Sequence, residues 1–156
     1  GLCGGYQMLG RQVHDPQGLE GAPGSVPGLG LLDVETTLLP DKTLTQVTGS
    51  HVASGARVSG YEIHLGKTSG ADCARPFMLV GNAPDGATAA NGRVAGTYLH
   101  GCFASDGFRA AFLAGLGGSA GTLAFEDTIE ATLDGLAAHM AAHLDLDGIL
   151  AQAAMV

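Results

Sequence analysis

The chain opens on Gly1-Leu2-Cys3-Gly4-Gly5, a run of the form G-x-nucleophile-x-G. Small residues around a central side chain suit a strand that turns abruptly into a helix, with the middle residue held exposed at the bend. Such a bend requires a sheet with helices packed on it, so the feature points to an α/β architecture. A cysteine in that seat lies at a helix N-terminus, which favours the thiolate and raises its nucleophilicity. On these five residues alone, a small buried cysteine beside a glycine turn is an equally good reading.

Patterning along the rest of the chain supports strands first and helices later. Tyr6, Leu9 and Val13 have helical spacing, and the Gly- and Pro-rich stretch from Asp15-Pro16-Gln17-Gly18 to Gly28 reads as a loop. Leu32, Val34 and Thr36 alternate with Asp33 and Glu35, and a second strand is expected over 43–50. From Val58 to Leu65 the alternation puts Tyr61, Ile63 and Leu65 on one face and Glu62 and His64 on the other. A short strand is expected over 77–81, and Asn91-Gly92 signals a two-residue hairpin whose second arm ends at His100. Phe108 and Phe112 then sit one helical turn apart behind Ser105 or Asp106 as a cap. Ile129, Leu133, Leu136, Met140 and Leu144 form a helical stripe introduced by Asp127 and Glu130. With no repeat and no flexible linker, the expectation is one α/β domain, part of whose sheet precedes residue 1.

Composition narrows the function classes. A chain of 156 residues that is 46% hydrophobic can bury a sizeable core. Fifteen acids against seven bases, a net charge of −8, argue against a nucleic-acid or anionic-membrane binder. No apolar stretch approaches the roughly 20 residues of a membrane span, and the start lacks a signal-peptide pattern, so the cytoplasm is the expected compartment. Cys3, Cys73 and Cys102 are odd in number and lack CxxC spacing, which argues against a disulfide framework or a zinc knuckle. A thiol nucleophile needs a base, and His100, between an extended run and the Gly101 turn, sits where strand ends present catalytic groups.

Three runs taken in order carry a resemblance: Gly1-Leu2-Cys3-Gly4-Gly5-Tyr6-Gln7-Met8-Leu9-Gly10, Gly60-Tyr61-Glu62-Ile63-His64-Leu65-Gly66 and Gly96-Thr97-Tyr98-Leu99-His100-Gly101. Together they resemble the C-terminal class I (triad-type) glutamine amidotransferase domain of the cobyric acid synthase family. The likeness extends through Gly28 to Asp33 and Phe108-Arg109 and weakens after about residue 115. It implies a flavodoxin-like α/β fold over 1–156, with an incomplete sheet because the chain starts at the nucleophile elbow. An ATP-dependent synthetase domain and the first part of the glutaminase domain would lie upstream. The resemblance further implies glutamine as substrate and ammonia supplied for amidation of the b, d, e and g side-chain carboxylates of a corrinoid. ATP and magnesium are implied for the synthetase domain, and no cofactor or metal for this one. Homo-oligomerisation is left open.

By the same resemblance Cys3 is the nucleophile, His100 its general base and acid, and Gln7 a contact to substrate glutamine. Gly4 would supply one oxyanion N–H; the second donor is expected from a loop before residue 1, so the isolated chain is expected to be inactive. One departure stands out. Ordinary class I members carry His-x-Glu, whereas His100-Gly101-Cys102 has no acid, a lack the corrinoid branch shares. Glu62 or His64 could orient the imidazole instead; the plainer reading is that both line the glutamine pocket or bond structurally. A peptidoglycan lipid II isoglutaminyl synthase glutaminase, with a similar elbow, and a non-catalytic fragment with a structural cysteine are the alternatives. Two patterns are discounted. Gly60 to Thr68 nearly spells a phosphate-binding loop but has five residues between its glycines instead of four, and His139 and His143 lack the adjacent glutamate of a zinc motif.

Overall fold

The computed structural model describes residues 1–119, 121 and 123–153, apart from the side chains of 41–43. The chain divides into two compact units, Gly1–Ala120 and Gly121–Val156. The first begins with α1 (Gly4–Leu9) and among its described residues carries nine strands: β1 (Gln12–Asp15), β2 (Gly24–Pro27), β3 (Glu35–His51), β4 (Arg57–Ser69), β5 (Met78–Val80), β6 (Ala83–Asp85), β7 (Ala87–Thr88), β8 (Ala95–Gly96) and β9 (Leu99–His100). Seven form an open sheet in which β2-β1-β3-β4-β9 are successive neighbours, β5 pairs with β3 and β6 with β5. β7 and β8 form a separate hairpin. This is an α/β fold with a mostly open sheet, as the resemblance to a class I, flavodoxin-like domain leads one to expect. Its parallel pairing lies between β1 and β3 and in an isolated bridge from Leu2 to Thr97 beside the elbow.

Several local expectations change. The helix expected to reach Val13 stops at Leu9: Gly10 is extended, its N–H bonds Gln7 O, and Val13 pairs in β1 with Val26 and Thr36. β2 lies within the expected loop, held by backbone pairing while all four of its residues stay exposed, so no apolar rhythm betrays it. The strands expected over 32–36 and 43–50 are instead one strand from Glu35, whose register against β4 shifts between Thr37 and Lys42. Leu32, Val34 and Thr36 are nevertheless all buried, as their alternation requires. The Asn91-Gly92 hairpin is real but wider than two residues, because the Ala89 N–H bonds Val94 O across 90–93.

Two apolar clusters form the core of this unit. Tyr6, Leu32, Val34, Ala87, Ala89 and Tyr98 pack beneath α1, and Val58, Met78, Leu99, Cys102 and Phe108 pack beneath α2 (Asp106–Gly115). Ser105 precedes α2 but its hydroxyl accepts the Ser59 N–H at 3.1 Å, tying the helix start to β4 rather than capping the helix. The second unit holds α3 (Phe125–His143) and α4 (Leu146–Ala153), neither with a buried residue. α3 starts two residues before Asp127, so Asp127 is not its cap. Ile129, Leu133, Leu136 and Met140 lie along α3 but are exposed, and Leu144, expected to continue the stripe, falls past the helix end in extended conformation. No helix among the described residues is long and apolar enough to cross a membrane.

Candidate active site

At the elbow Cys3 adopts φ 51 and ψ −120, a positive φ that no other non-glycine residue among those described adopts. A non-glycine residue in such a sparsely populated region costs on the order of 1–3 kcal/mol and persists only when its surroundings hold it there. Here they do. The Thr97 N–H bonds Gly1 O at 3.2 Å, the Cys3 N–H bonds Thr97 O at 3.0 Å, and Cys3 O accepts the Tyr6 and Gln7 N–H groups. The turn is also tight: a Cβ on Gly1 would lie 2.5 Å from Gly5 O, so a side chain there would open the bend. The result points the Cys3 thiol at β4, where it donates to Ile63 O at 3.2 Å.

β4 also seats the histidine. Tyr61 pairs across the ladder with His100, and their rings stack with centroids 4.9 Å apart and planes 9° off parallel. Gly60 permits this close docking, since a Cβ there would overlap the His100 carbonyl oxygen. The thiol and the imidazole thus dock on β4 at positions two residues apart, the Ile63 carbonyl and the Tyr61 ring. His100 Nε2 is buried without a hydrogen-bond partner among the described residues.

A cleft of about 250 Å³ is lined by Glu62, His64, Lys67, Asp85 and Tyr98 among others, with neither Cys3 nor His100 in its lining. Its floor is rigid. The His64 ring stacks on Tyr98 with centroids 3.9 Å apart, and the Tyr98 hydroxyl is fixed by Thr68 Oγ1 at 2.5 Å and by the Gln7 amide at 3.2 Å. Thr68 in turn bonds Thr36 at 2.6 Å. Asp85 accepts the Thr97 hydroxyl and the Tyr98 N–H. Burial nevertheless pushes its carboxyl above the usual range, outweighing those bonds and nearby His64. Glu62 is raised by burial and by the charge of Asp85. His64 is lowered chiefly by burial, with Asp85 pulling it up and His100 pushing it down. The cleft thus holds two carboxyls biased toward their protonated forms and one imidazole biased toward neutrality.

Of the residues expected from sequence, Cys3 and His100 each contact β4, the first at the Ile63 carbonyl and the second at the Tyr61 ring, and Glu62 and His64 line the cleft. Gln7 turns inward and donates to Leu65 O and the Tyr98 hydroxyl, both at 3.2 Å. Gly4 is the first residue of α1, where the N–H has no intrahelical acceptor. Asp85 was missed by sequence reasoning, since an acid in Ala83-Pro84-Asp85-Gly86 reads as turn chemistry. Tyr98 lies inside a motif that carries the resemblance, yet nothing in its spacing marks it as the hub. The run resembling a phosphate loop lies in β4, with Lys67 and Thr68 paired to Thr37 and Thr36, so it does not fit a nucleotide phosphate. Among the described residues no three His, Cys, Asp or Glu side chains converge on a metal site.

A strained cysteine elbow and a strand-end histidine, both docked on β4 of an open α/β sheet, are features of a glutamine amidotransferase. The chain belongs to the family of CobB/CobQ-like glutamine amidotransferase domains, matched over residues 1–108. Among curated relatives it is similar to the cobyric acid synthases of a strain of Cereibacter sphaeroides, 60% identical over 153 residues, and of a strain of Rhodobacter capsulatus, 59% identical over 153 residues. It is 57% identical over 153 residues to the cobyric acid synthase of Paracoccus denitrificans. Each alignment covers 98% of this chain but 31–32% of the relative, so the chain spans about a third of their length.

Proposed function

We propose that this chain is the glutamine-hydrolysing part of a cobyric acid synthase, supplying ammonia for ATP-dependent amidation of the b, d, e and g carboxylates of a corrinoid in the cytoplasm. The observation that carries the proposal is the strained Cys3, its thiol aimed at β4 two residues from the strand position that seats His100. In this reading the sulfur attacks the amide carbon of glutamine, and the Gly4 N–H steadies the developing oxyanion. His100 Nε2 takes the thiol proton and passes it to the departing nitrogen, leaving ammonia and a glutamyl thioester. In this reading Gln7 also contacts the substrate glutamine. ATP and magnesium belong to an upstream synthetase part, and no residue of this chain is assigned to them. The isoglutaminyl synthase alternative has no specific observation in its favour, whereas the relatives above are all cobyric acid synthases.

The test is Cys3→Ser in a protein carrying this chain with its synthetase part. Glutamine-dependent amidation should fall by at least about a thousandfold while the reaction fed with ammonium salt persists, because the thiol only makes the ammonia. Equal loss of both reactions would show that Cys3 serves the fold instead.

A further inference from the structure

His100 is held by less backbone than its proposed role calls for. β9 is two residues long and meets β4 through Leu99 and His100 alone. Leu99 is fully buried and anchors the strand, but Gly101 follows at once in the left-handed region, φ 78, so the ladder ends at the histidine. The ring Nε2 has no hydrogen-bond partner among the described residues, and His100-Gly101-Cys102 offers no acid to fix the ring from behind. What does hold the imidazole is the Tyr61 ring. The two residues face each other across the ladder, their planes are 9° apart and their centroids lie 4.9 Å apart. For near-parallel rings that separation is an offset stack, and it falls inside the roughly 6 Å over which an aromatic face attracts a cation. Tyr61 is 43% exposed, so core packing accounts for little of why an aromatic ring stands there.

We infer that Tyr61 is a positioning residue for His100: its ring fixes the plane of the imidazole, and its face stabilises the cation that the imidazole becomes in turnover. The inference rests on the glutaminase reading above and deepens it. In that reaction His100 Nε2 takes the Cys3 thiol proton, leaving a thiolate and an imidazolium, and the sulfur attacks the amide carbon. The same proton then passes to the departing nitrogen as the C–N bond breaks, giving ammonia and the thioester. Between the two transfers the ring carries a full positive charge. A carboxylate commonly opposes such a charge and orients the ring by a hydrogen bond. Tyr61 does both by other means. Stacking keeps the imidazole from turning about its Cβ–Cγ bond, and the negative face of the phenol ring lies against the cation. Because the imidazolium gains more from that face than the neutral ring does, the contact favours the charged species along the reaction over the resting state. The hydroxyl has no part in either effect, so the role belongs to the ring and not to its oxygen.

The test uses the unmutated protein with its synthetase part and three variants at position 61, each checked for folding by thermal melting and assayed for glutamate release. Tyr61→Phe keeps the ring and should stay within about threefold of the unmutated rate. Tyr61→Ile keeps a residue suited to a strand but has no aromatic face; it should lower kcat by about five- to thirtyfold, with the KM for glutamine changed less than about twofold. Pentafluorophenylalanine at the same position preserves the shape of Phe while reversing the charge distribution of its face, and should run about fivefold or more below Phe. If the Ile variant does not fold, the difference between Phe and its fluorinated form decides. Full activity in Tyr61→Ile, equal rates for Phe and its fluorinated form, a loss in Tyr61→Phe as large as in Tyr61→Ile, or a raised KM with kcat kept would overturn the inference and leave the glutaminase reading standing. Absence of glutamate release from the unmutated protein would overturn both.

Discussion

The elbow region and helix α3 both show apolar patterning in sequence, alternating in the one and helical in the other, but very different anchoring. Around β4 and β9, Leu99 and nearby Phe108 are fully buried, and polar side chains are linked from Thr36 through Thr68 and Tyr98 to Gln7. Along α3, Leu133, Leu136 and Met140 repeat with helical spacing yet remain 40–53% exposed. Periodicity therefore reports that a face is apolar, while burial and cross-linking report whether that face does structural work. A site that must hold a strained cysteine needs the second property, and the elbow region has it.

The contrast can be broken most forcefully by truncation. Phe108 is fully buried among Phe77, Phe103, Phe112 and the His51 ring. Phe108→Ala should cost about 3–5 kcal/mol in denaturant unfolding, whereas Leu136→Ala, at 53% exposure, should stay within about 0.5 kcal/mol. Similar losses at the two positions would mean that α3 is packed as firmly as the core.

Glycines sharpen the same comparison at a smaller scale. Gly60→Ala would drive a methyl into the His100 carbonyl and should cost about 1–3 kcal/mol while pushing β9 away from β4, with loss of glutaminase rate. Gly135→Ala in α3 meets nothing within 4 Å and should stabilise by about 0.5–1 kcal/mol through helix propensity. A neutral Gly60→Ala in thermal melts would remove the close approach from the account.

The smallest effect concerns pH. Because burial raises Asp85 above its usual 3.8, the folded state holds this proton more tightly than the unfolded chain, so the residue's contribution to stability falls as pH rises from 3.8 through the raised value. Asp85→Asn keeps an acceptor for Thr97 and Tyr98 without the buried charge. Its melting temperature should gain on the unmutated chain as pH rises above 3.8 and converge with it toward more acid conditions. A gain independent of pH would show that the carboxyl is not buried as described.

Much of the site was legible because its chemistry sits in contiguous runs. Cys3 stands out by its glycines and His100 by its place before a Gly turn, and Glu62 and His64 share a face by simple alternation. The residues that only tertiary structure recruits stayed hidden. Asp85 acquires meaning through Thr97 and Tyr98, twelve and thirteen residues on. The same holds for the fold: Leu32 and Val34 alternate because one face is buried, but β2 is built by backbone pairing of exposed residues and leaves no hydrophobic trace. Helix α1 ended early for a comparable reason, since Val13 satisfied helical spacing yet found strand partners on both sides.

The central claim, that the strained elbow presents Cys3 as the nucleophile for glutamine, is tested most directly by an electrophilic glutamine analogue and peptide mapping of the three thiols. Cys102 is fully buried and Cys73 is half-buried as Cys3 is, so what sets Cys3 apart is its strained place at the start of α1. In the protein with its synthetase part, the account predicts stoichiometric labelling at Cys3 that excess glutamine suppresses, with Cys73 and Cys102 unmodified. Labelling that spreads over Cys3 and Cys73 at similar rates, or that glutamine does not protect, would contradict it.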